Sequence, residues 1–160
     1  MNFERPVFAP STAAGFGSIN ADMQRDLRHK GYLTNYGMMG EDQRWKYSFR
    51  DIVALAVAGR LIETGWHRHT SCALAWTYAP VVFGFLRGAS IGIRYVAHLI
   101  DAGQEKDGMK LSGTVSLEYR SLAEMDSGPS FDRAEIIDLK YIANCLHPDL
   151  KDLAKEITVD

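Results

Sequence analysis

The clearest hydrophobic period in the chain predicts a helix after Tyr47-Ser48. Apolar residues recur there at helical spacing: Ile52, Leu55, Ala58, Leu61 and Ile62. Positions three and four apart share one face of a helix, so this spacing indicates an amphipathic helix with its apolar face turned inward. Tyr47 or Ser48 precedes the helix and Gly65 ends it, as glycine commonly does just past the last turn.

A weaker pattern predicts two short helices and a ribbon earlier in the chain. Ser11-Thr12-Ala13-Ala14 can cap and start a helix that stops at one of the two glycines that follow. Asn20 is a good N-cap for a second helix, and Gly31 lies just past its end. The residues expected to face inward from it are Met23, Gln24 and Leu27. Residues 34–46 then have the length and the central glycines of a small β-ribbon.

The C-terminal part is predicted to hold further helices and one β element. Helical stretches are expected at Ser71–Leu86, Ala89–Ile100 and Asp132–Leu146, with a short last helix capped by Asp149. Pro80 falls inside the first of these and should kink or split it. Residues 111–120 alternate between apolar and polar, which favours β-structure, and residues 127–130 form a predicted loop. The predicted fold class is therefore α+β, mostly α.

Charge is divided unevenly along the chain. The net charge is −2, but residues 1–100 hold eleven Lys and Arg against seven Asp and Glu. Residues 101–160 hold seven Lys and Arg against thirteen Asp and Glu. A cationic front part followed by an acidic part favours a polyanion as the partner of the front part.

The cations of the front part cluster around the second predicted helix and the ribbon after it. A helix can enter the major groove of B-DNA while basic side chains hold the phosphates on either side. Asn20, Gln24 and Arg25 occupy the early turns of that helix, where they would read base edges. The other predicted DNA-binding residues are Arg28, Lys30, Arg44, Lys46, Tyr47 and Arg50. Because each cation on a phosphate releases counterions, binding would fall steeply with salt.

Two segments resemble the MerR-type winged helix-turn-helix family. Ser18-Ile19-Asn20, then Arg25 and Gly31-Tyr32-Leu33, look like the half of that domain that carries its recognition helix. The run Tyr47-Ser48-Phe49-Arg50-Asp51-Ile52, with the periodic helix after it and Gly65-Trp66, resembles the family's wing exit and following helix. The resemblance covers about residues 11–68.

The resemblance implies specific roles in DNA binding. The role of the family's helix-two arginine falls on Arg25, and the wing contacts to phosphates fall on Arg44, Lys46 and Tyr47. The family dimerises through a long helix after the winged domain and reads two half-sites by symmetry. Pro80 interrupts the corresponding stretch here, so the expected route to a dimer differs.

The chain also departs from the family's pattern in two places. Asp26 and Leu27 stand where the family usually has two aromatic residues after its arginine. Gln43-Arg44-Trp45 replaces the usual Gly-Tyr-Arg approach to the wing, and the loop before it is longer. Asp26 weakens the expectation of a phosphate contact from that position.

These patterns together predict a two-part DNA-binding protein. Residues 1–68 would form a winged helix-turn-helix domain, and residues 69–160 a helical and short-sheet module for dimerisation or sensing. The expected function is a MerR-like transcriptional regulator that binds double-stranded DNA as a homodimer. Two alternatives remain: a phage-type excision, recombination or packaging factor, and an adaptor protein whose acidic half binds a basic partner.

Enzymatic and metal-binding functions find less support. The chain has no Gly-x-Ser-x-Gly, His-Glu-x-x-His or phosphate-loop sequence, so we do not expect an enzyme. His67, His69 and Cys72 are the candidate metal ligands, and Cys145 with His147 would have to complete the site from the far end of the chain. Zinc takes three or four nitrogen or sulfur ligands. Without a close Cys-x-x-Cys pair, we expect no metal and no other cofactor.

The sequence also gives an expectation for location. It contains no run of 18 or more apolar residues and no visible secretory leader. We therefore expect a cytoplasmic protein with reduced thiols and no membrane partner.

Overall fold

Helices are the main regular structure in the part of the chain that the structure describes. The computed structural model describes residues 2–99, 104–106, 109–111, 115–127 and 134–158. The helices in those ranges are α1 (Pro10–Ala14), α2 (Ala21–His29), α3 (Phe49–Glu63), α4 (Arg68–Leu86), α5 (Leu122–Asp126), α6 (Leu139–Cys145) and α7 (Pro148–Glu156). The strands are β1 (Met38–Met39), β2 (Trp45–Lys46), β3 (Tyr95–Leu99), β4 (Gln104–Lys106), β5 (Met109–Leu111), β6 (Val115–Tyr119) and β7 (Ala134–Asp138). The predicted class, α+β and mostly α, is confirmed at this level.

The second short helix begins and ends where local signals place it. The Asn20 side chain accepts a 2.9 Å hydrogen bond from the backbone N–H of Met23 and so caps α2. Leu27 and Gln24 are buried. Gly31 follows the helix with a φ of +74°, a conformation that costs glycine little and other residues more. The predicted cap of α2 and the inward positions of Gln24 and Leu27 are confirmed, and Met23 is half-buried against the core.

The predicted ribbon is a short antiparallel hairpin. Met38 of β1 pairs with Lys46 of β2, and Met39 pairs with Trp45. Paired residues share one face of a ladder and successive residues alternate between faces. Met39 and Trp45 therefore share one face of the hairpin, and Met38 and Lys46 share the other.

The strongly periodic helix starts with a capping box. The Ser48 hydroxyl accepts a hydrogen bond from the Asp51 N–H, and the Asp51 carboxylate accepts one from the Ser48 N–H at 2.8 Å. Gly65, with a φ of +97°, reverses the chain after α3, and α4 then packs back along it. Several residues outside the predicted stripe are also buried: Val53, Ala54, Ala56 and Val57. These additional faces are buried because α3 contacts α1, α4 and α6 on different sides.

The sequence predicts a kink or a split at Pro80, and of these the split is wrong, because helix α4 runs without a break through Pro80. Proline has no N–H to give to the carbonyl four residues earlier, which here is that of Trp76. That carbonyl instead accepts a 3.4 Å hydrogen bond from Nη2 of Arg50. The freed acceptor thus has another donor, and the helix continues. Neither α4 nor any other helix in the described ranges is long and apolar enough to cross a membrane.

A three-stranded antiparallel sheet with the order β6-β3-β7 follows the helical pair. Its central strand contradicts the helix predicted for Ala89–Ile100, because Tyr95–Leu99 is β3. Tyr95, Val96 and Ala97 are all buried. A strand buried on both faces reads as a continuous apolar run, and periodicity alone does not distinguish such a run from a buried helix.

The helix predicted over Asp132–Leu146 is wrong in its first half. Ala134–Asp138 is β7, and α6 begins only at Leu139. The Asp138 carboxylate accepts a 3.0 Å hydrogen bond from the Tyr141 N–H and caps α6. Residues 132 and 133 lie outside the described residues. The predicted helix begins too early because the helical spacing of apolar residues does not show that Asp138, inside the predicted range, is the N-cap.

The remaining C-terminal elements are present where the structure describes them, but the predicted cap of the last helix is wrong. The β-structure predicted for residues 111–120 is confirmed over Val115–Tyr119, while residues 112–114 lie outside the described residues. The last helix, α7, is present, although its N-cap is His147 rather than Asp149. Of the predicted loop, Ser127 lies in a turn and residues 128–130 are outside the described residues.

One hydrophobic cluster extends across both predicted modules. It includes Phe3 near one end of the chain and Ile157 near the other. The ring of Phe3 stacks on that of Phe83, with centroids 4.4 Å apart. The Tyr36 hydroxyl donates a 2.6 Å hydrogen bond to the Cys72 carbonyl. The boundary predicted at residue 68 therefore falls between two helices that pack on each other.

Candidate nucleic-acid interface

A groove of about 210 Å³ lies between α2 and the β1–β2 hairpin. The residues that line it are Pro10, Ala21, Gln24, Arg25, Arg28, Trp45 and Tyr47. Four of the residues predicted to bind DNA meet here: Gln24, Arg25, Arg28 and Tyr47. The structure thus brings one helix and one hairpin together around part of the predicted set.

Arg28 fastens the hairpin to α2. Its guanidinium carbon lies 3.5 Å from the centroid of the Trp45 ring. Nη1 donates a 3.2 Å hydrogen bond to the Tyr36 carbonyl, and Nη2 donates to the Tyr47 hydroxyl. A stacked cation of this kind contributes about 0.5–2 kcal/mol. Because Arg28 is engaged on several sides, its main effect is to fix the position of the hairpin against the helix.

Tyr47 belongs to the core rather than to the surface. It is only 1% exposed, and its carbonyl accepts hydrogen bonds from the N–H groups of Val7 and Phe8, each at 2.9 Å. Burial raises the pKa of its hydroxyl, while the Arg28 guanidinium acts in the opposite direction. The structure therefore corrects the predicted phosphate contact of Tyr47, because a side chain this buried offers no surface to a phosphate.

Arg25 projects from the exposed side of α2. Its side chain is 80% exposed, and Nη1 lies 3.2 Å from Oδ1 of Asp22, which is 86% exposed. An ion pair this exposed contributes about 0–1 kcal/mol. Arg25 is thus a cation at the edge of the groove that an incoming anion can recruit at little cost.

The hairpin carries two further cations. Nζ of Lys46 lies 3.0 Å from Oδ2 of Asp42, and this hydrogen bond from Lys46 holds the pKa of the Asp42 carboxyl below its usual value. Arg44 is exposed in the turn, next to Gln43, whose φ is +59°. Arg44 and Lys46 therefore lie in the turn and on the second strand, beside the groove.

The two predicted amide readers are used differently. Gln24 is 3% exposed, and its Nε2 donates to the carbonyls of Pro10 and Ile19 at 3.2 and 3.1 Å. It joins α1 to α2 and lies too deep to reach a base edge, which corrects its predicted role. Asn20 is exposed. Its Oδ1 caps the helix, while its Nδ2 group donates no hydrogen bond to the residues that the structure describes and so can donate to a ligand.

Lys30 and Arg50 lie outside the groove. Lys30 caps the other end of α2, and its Nζ lies 2.9 Å from Oδ2 of Asp26. The guanidinium of Arg50 stacks on Trp76 at 3.7 Å and pairs with Glu4 at 3.2 Å. These two cations therefore do not join the cluster that the sequence predicted around one helix and one ribbon.

Three residues at the interface are absent from the predicted DNA-binding set. Trp45 forms part of the groove and carries the stacked Arg28. Met38 and Met39 are 54% and 46% exposed, which is unusual for large apolar side chains. Two consecutive methionines in a polar ribbon could have predicted this exposure. Successive side chains of a strand point to opposite faces, and a two-residue strand does not bury both faces.

The alternative metal site does not assemble in the described part of the chain, where no three His, Cys, Asp or Glu residues gather closely enough to hold an ion. Cys72 is buried inside the core and Cys145 is exposed. The imidazoles of His67 and His69 both lie against the Tyr32 ring, at centroid distances of 6.5 and 5.3 Å. Both imidazoles are exposed, and their ring contacts are with Tyr32.

The chain was compared with protein-family models, with curated proteins and with solved structures, and no match was found in any of the three comparisons.

Proposed function

We propose that the protein is a winged helix-turn-helix DNA-binding regulator that uses α2 and the β1–β2 hairpin as its contact surface. The observation that carries the proposal is the pairing of α2 with the hairpin by the Arg28–Trp45 stack at 3.5 Å. This stack sets an exposed helix edge beside an exposed cationic hairpin. The MerR-type resemblance of residues 11–68 supports the same assignment, because helix, helix, hairpin and long helix follow in that order.

The dimensions of α2 suit the major groove. An α-helix with its side chains is about 10–12 Å in diameter, and the major groove of B-DNA is about 12 Å wide. In this proposal α2 enters the groove with Arg25 toward the bases and Asn20 at its N-terminal end. The hairpin then lies against the sugar-phosphate backbone, with Arg44 and Lys46 toward the phosphates.

The exposed ion pairs do not oppose such binding. Arg25 is paired with Asp22 and Lys46 with Asp42, both at the surface. Exposed pairs contribute only about 0–1 kcal/mol, whereas a cation on a phosphate gains the entropy of released counterions. We therefore expect both cations to exchange their carboxylate partners for phosphates.

The charge of the contact segment limits its affinity. Residues 20–50 hold six Lys and Arg against four Asp and Glu. A contact segment with so small an excess of positive charge makes few phosphate contacts. Its specificity then comes from base contacts and from the symmetry of a dimer. Action as a homodimer on two half-sites belongs to the proposal for this reason.

The proposal is tested by selecting bound sites from a random duplex pool and then measuring duplex affinity at two salt concentrations. We expect a repeated half-site and an affinity that falls as salt rises. Recovery of a single asymmetric site would favour the recombination or packaging alternative. The DNA-binding proposal fails if no duplex is retained at low salt, and the adaptor alternative then remains.

Two variants separate the proposed roles of helix and hairpin. Arg25→Ala should weaken binding to the selected site more than binding to random duplex, because its contact is with bases. Lys46→Ala should weaken both alike and reduce the salt slope by about one unit.

The matched control is Lys155→Ala, which removes an exposed cation with an i,i+3 ion pair to Asp152 on α7. It should leave the affinity and the salt slope unchanged. Equal effects of all three substitutions would mean that net charge, and not the helix–hairpin surface, determines binding.

A further inference from the structure

A second hollow lies where α2, α3 and α4 meet, away from the hairpin. Its volume is about 410 Å³, within the range of about 300–1,000 Å³ typical of small-molecule sites. The side chains that line it are Lys30, Tyr32, Ile62, Trp66, His67 and Arg68. Among the described residues, no acidic side chain lines this hollow. The wall is therefore both cationic and aromatic.

The aromatic side chains of this hollow are held in place by other rings. The Tyr32 ring contacts the His69 ring edge-on, with centroids 5.3 Å apart. The Trp66 ring lies 5.7 Å from that of His98 on the central strand β3. Because Tyr32 and Trp66 are also half-buried against the hydrophobic core, the flat apolar part of the hollow exists before any ligand arrives. Such preformed walls lower the entropy lost on binding.

The cations of the hollow retain unused hydrogen-bond donors. Arg68 Nη1 and Lys30 Nζ both approach Oδ2 of Asp26, at 3.3 and 2.9 Å. Within the described residues, Nε and Nη2 of Arg68 donate no hydrogen bond. A guanidinium has five N–H donors and binds a carboxylate through two parallel hydrogen bonds. Arg68 can therefore keep Asp26 on one edge and take a second carboxylate on the other.

We propose that this hollow binds a small aromatic carboxylate. The ring of the ligand lies against Tyr32 and Trp66, and its carboxylate is held by Arg68 with Lys30 beside it. Cation and ring contacts on one wall select a molecule that carries both an anion and a flat apolar part. This site is separate from the helix–hairpin groove and does not depend on DNA binding.

The test uses 2-naphthoate as the probe and the indole N–H signals of the three tryptophans in the full-length protein as the readout. We expect the Trp66 signal to shift and saturate while those of Trp45 and Trp76 move less. Neutral 2-naphthalenemethanol and ring-free acetate should each bind much more weakly, because each lacks one half of the recognition. Arg68→Gln should weaken 2-naphthoate binding at least about tenfold, as expected for loss of a charged hydrogen bond.

Arg87→Gln is the matched control, because Arg87 is an exposed arginine at the opposite end of the same helix, 5.5 Å from the Phe83 ring. It should bind 2-naphthoate as the wild type does. The site is overturned if Trp66 does not respond, if the neutral alcohol binds as well as the carboxylate, or if the two arginine variants behave alike. Indole spectra of each variant without probe establish that the fold is retained.

Discussion

Arginine side chains in this protein serve two different purposes. Arg28 and Arg50 lie flat on indole rings, at 3.5 and 3.7 Å. Arg25 and Arg68 are exposed and each makes one ion pair with an aspartate. Sequence reasoning treated Arg25, Arg28 and Arg50 alike as DNA contacts. What distinguishes them is the nearby tryptophan, which lies 17 positions from Arg28 and 26 from Arg50, so no local pattern could show it.

The two cysteines also differ only through their surroundings, and the difference has a consequence for stability. Burial raises the pKa of the Cys72 thiol to about 11. In the unfolded chain a thiol ionises near pH ~8.5. Between these values the unfolded state has lost a proton that the folded state keeps, so the free energy of unfolding falls as pH rises. The slope from one such group is at most about 1.4 kcal/mol per pH unit.

We expect Cys72→Ala to reduce this slope when urea unfolding is followed from pH 8 to 9.5. Cys145→Ala is the control, because Cys145 is exposed, and it should keep the wild-type slope. Equal slopes for the wild type and Cys72→Ala would show that the buried thiol does not contribute.

At the scale of elements, the hairpin is positioned by a close approach of backbone to backbone. Gly37 has a φ of +63°, and a Cβ added there would lie 2.8 Å from the Lys46 carbonyl oxygen and 2.7 Å from a Tyr47 ring carbon. Gly31 has a similar φ of +74° but no heavy atom within 4 Å of such a Cβ. Both glycines thus need a positive φ, but only Gly37 lacks space for a side-chain carbon.

This pair makes a controlled test of how tightly the hairpin is packed. Gly31→Ala should lower the free energy of unfolding by about 1–2 kcal/mol, the cost of the left-handed conformation. Gly37→Ala should lower the free energy of unfolding by a further ~1–3 kcal/mol, because the added carbon meets the fixed carbonyl oxygen of Lys46. Urea unfolding measures both. Similar losses for the two variants would mean that the hairpin shifts freely to admit the methyl group.

At the scale of the whole molecule, the core connects segments that the sequence assigned to separate modules. Tyr36, before the predicted boundary, donates its hydroxyl hydrogen bond to Cys72, after it. Phe3 stacks on Phe83 across the same boundary. These contacts bury apolar surface on α3 that a protein ending at residue 68 would expose to water.

A fragment of residues 1–68 is therefore expected to lack a cooperative urea transition, whereas the full chain shows one. Loss of α4 removes the partner of the apolar face of α3, and a 68-residue chain has little other core to compensate. Circular dichroism in urea gives the comparison. A cooperative transition of the fragment would establish residues 1–68 as an independent domain.

The elements that sequence reasoning placed correctly are those specified by neighbours in the chain. Asn20 caps α2, and Ser48 with Asp51 caps α3, because a cap needs only a side chain within three residues of the N–H it satisfies. The alternation at residues 115–119 predicted a strand for the same reason, since a two-residue period is local.

Contacts distant in sequence decided the rest. Tyr95–Leu99 became a strand because β6 and β7 supply its hydrogen bonds from both sides, although its apolar run also suited a helix. The same holds for Tyr47, which the core buries, and for the two hollows, whose walls come from separate helices and a hairpin. The sequence by itself determined where α2 and α3 begin and which residues carry charge. Only tertiary packing decided which of those charges remain exposed, because burial depends on residues that meet in space and lie far apart in the chain.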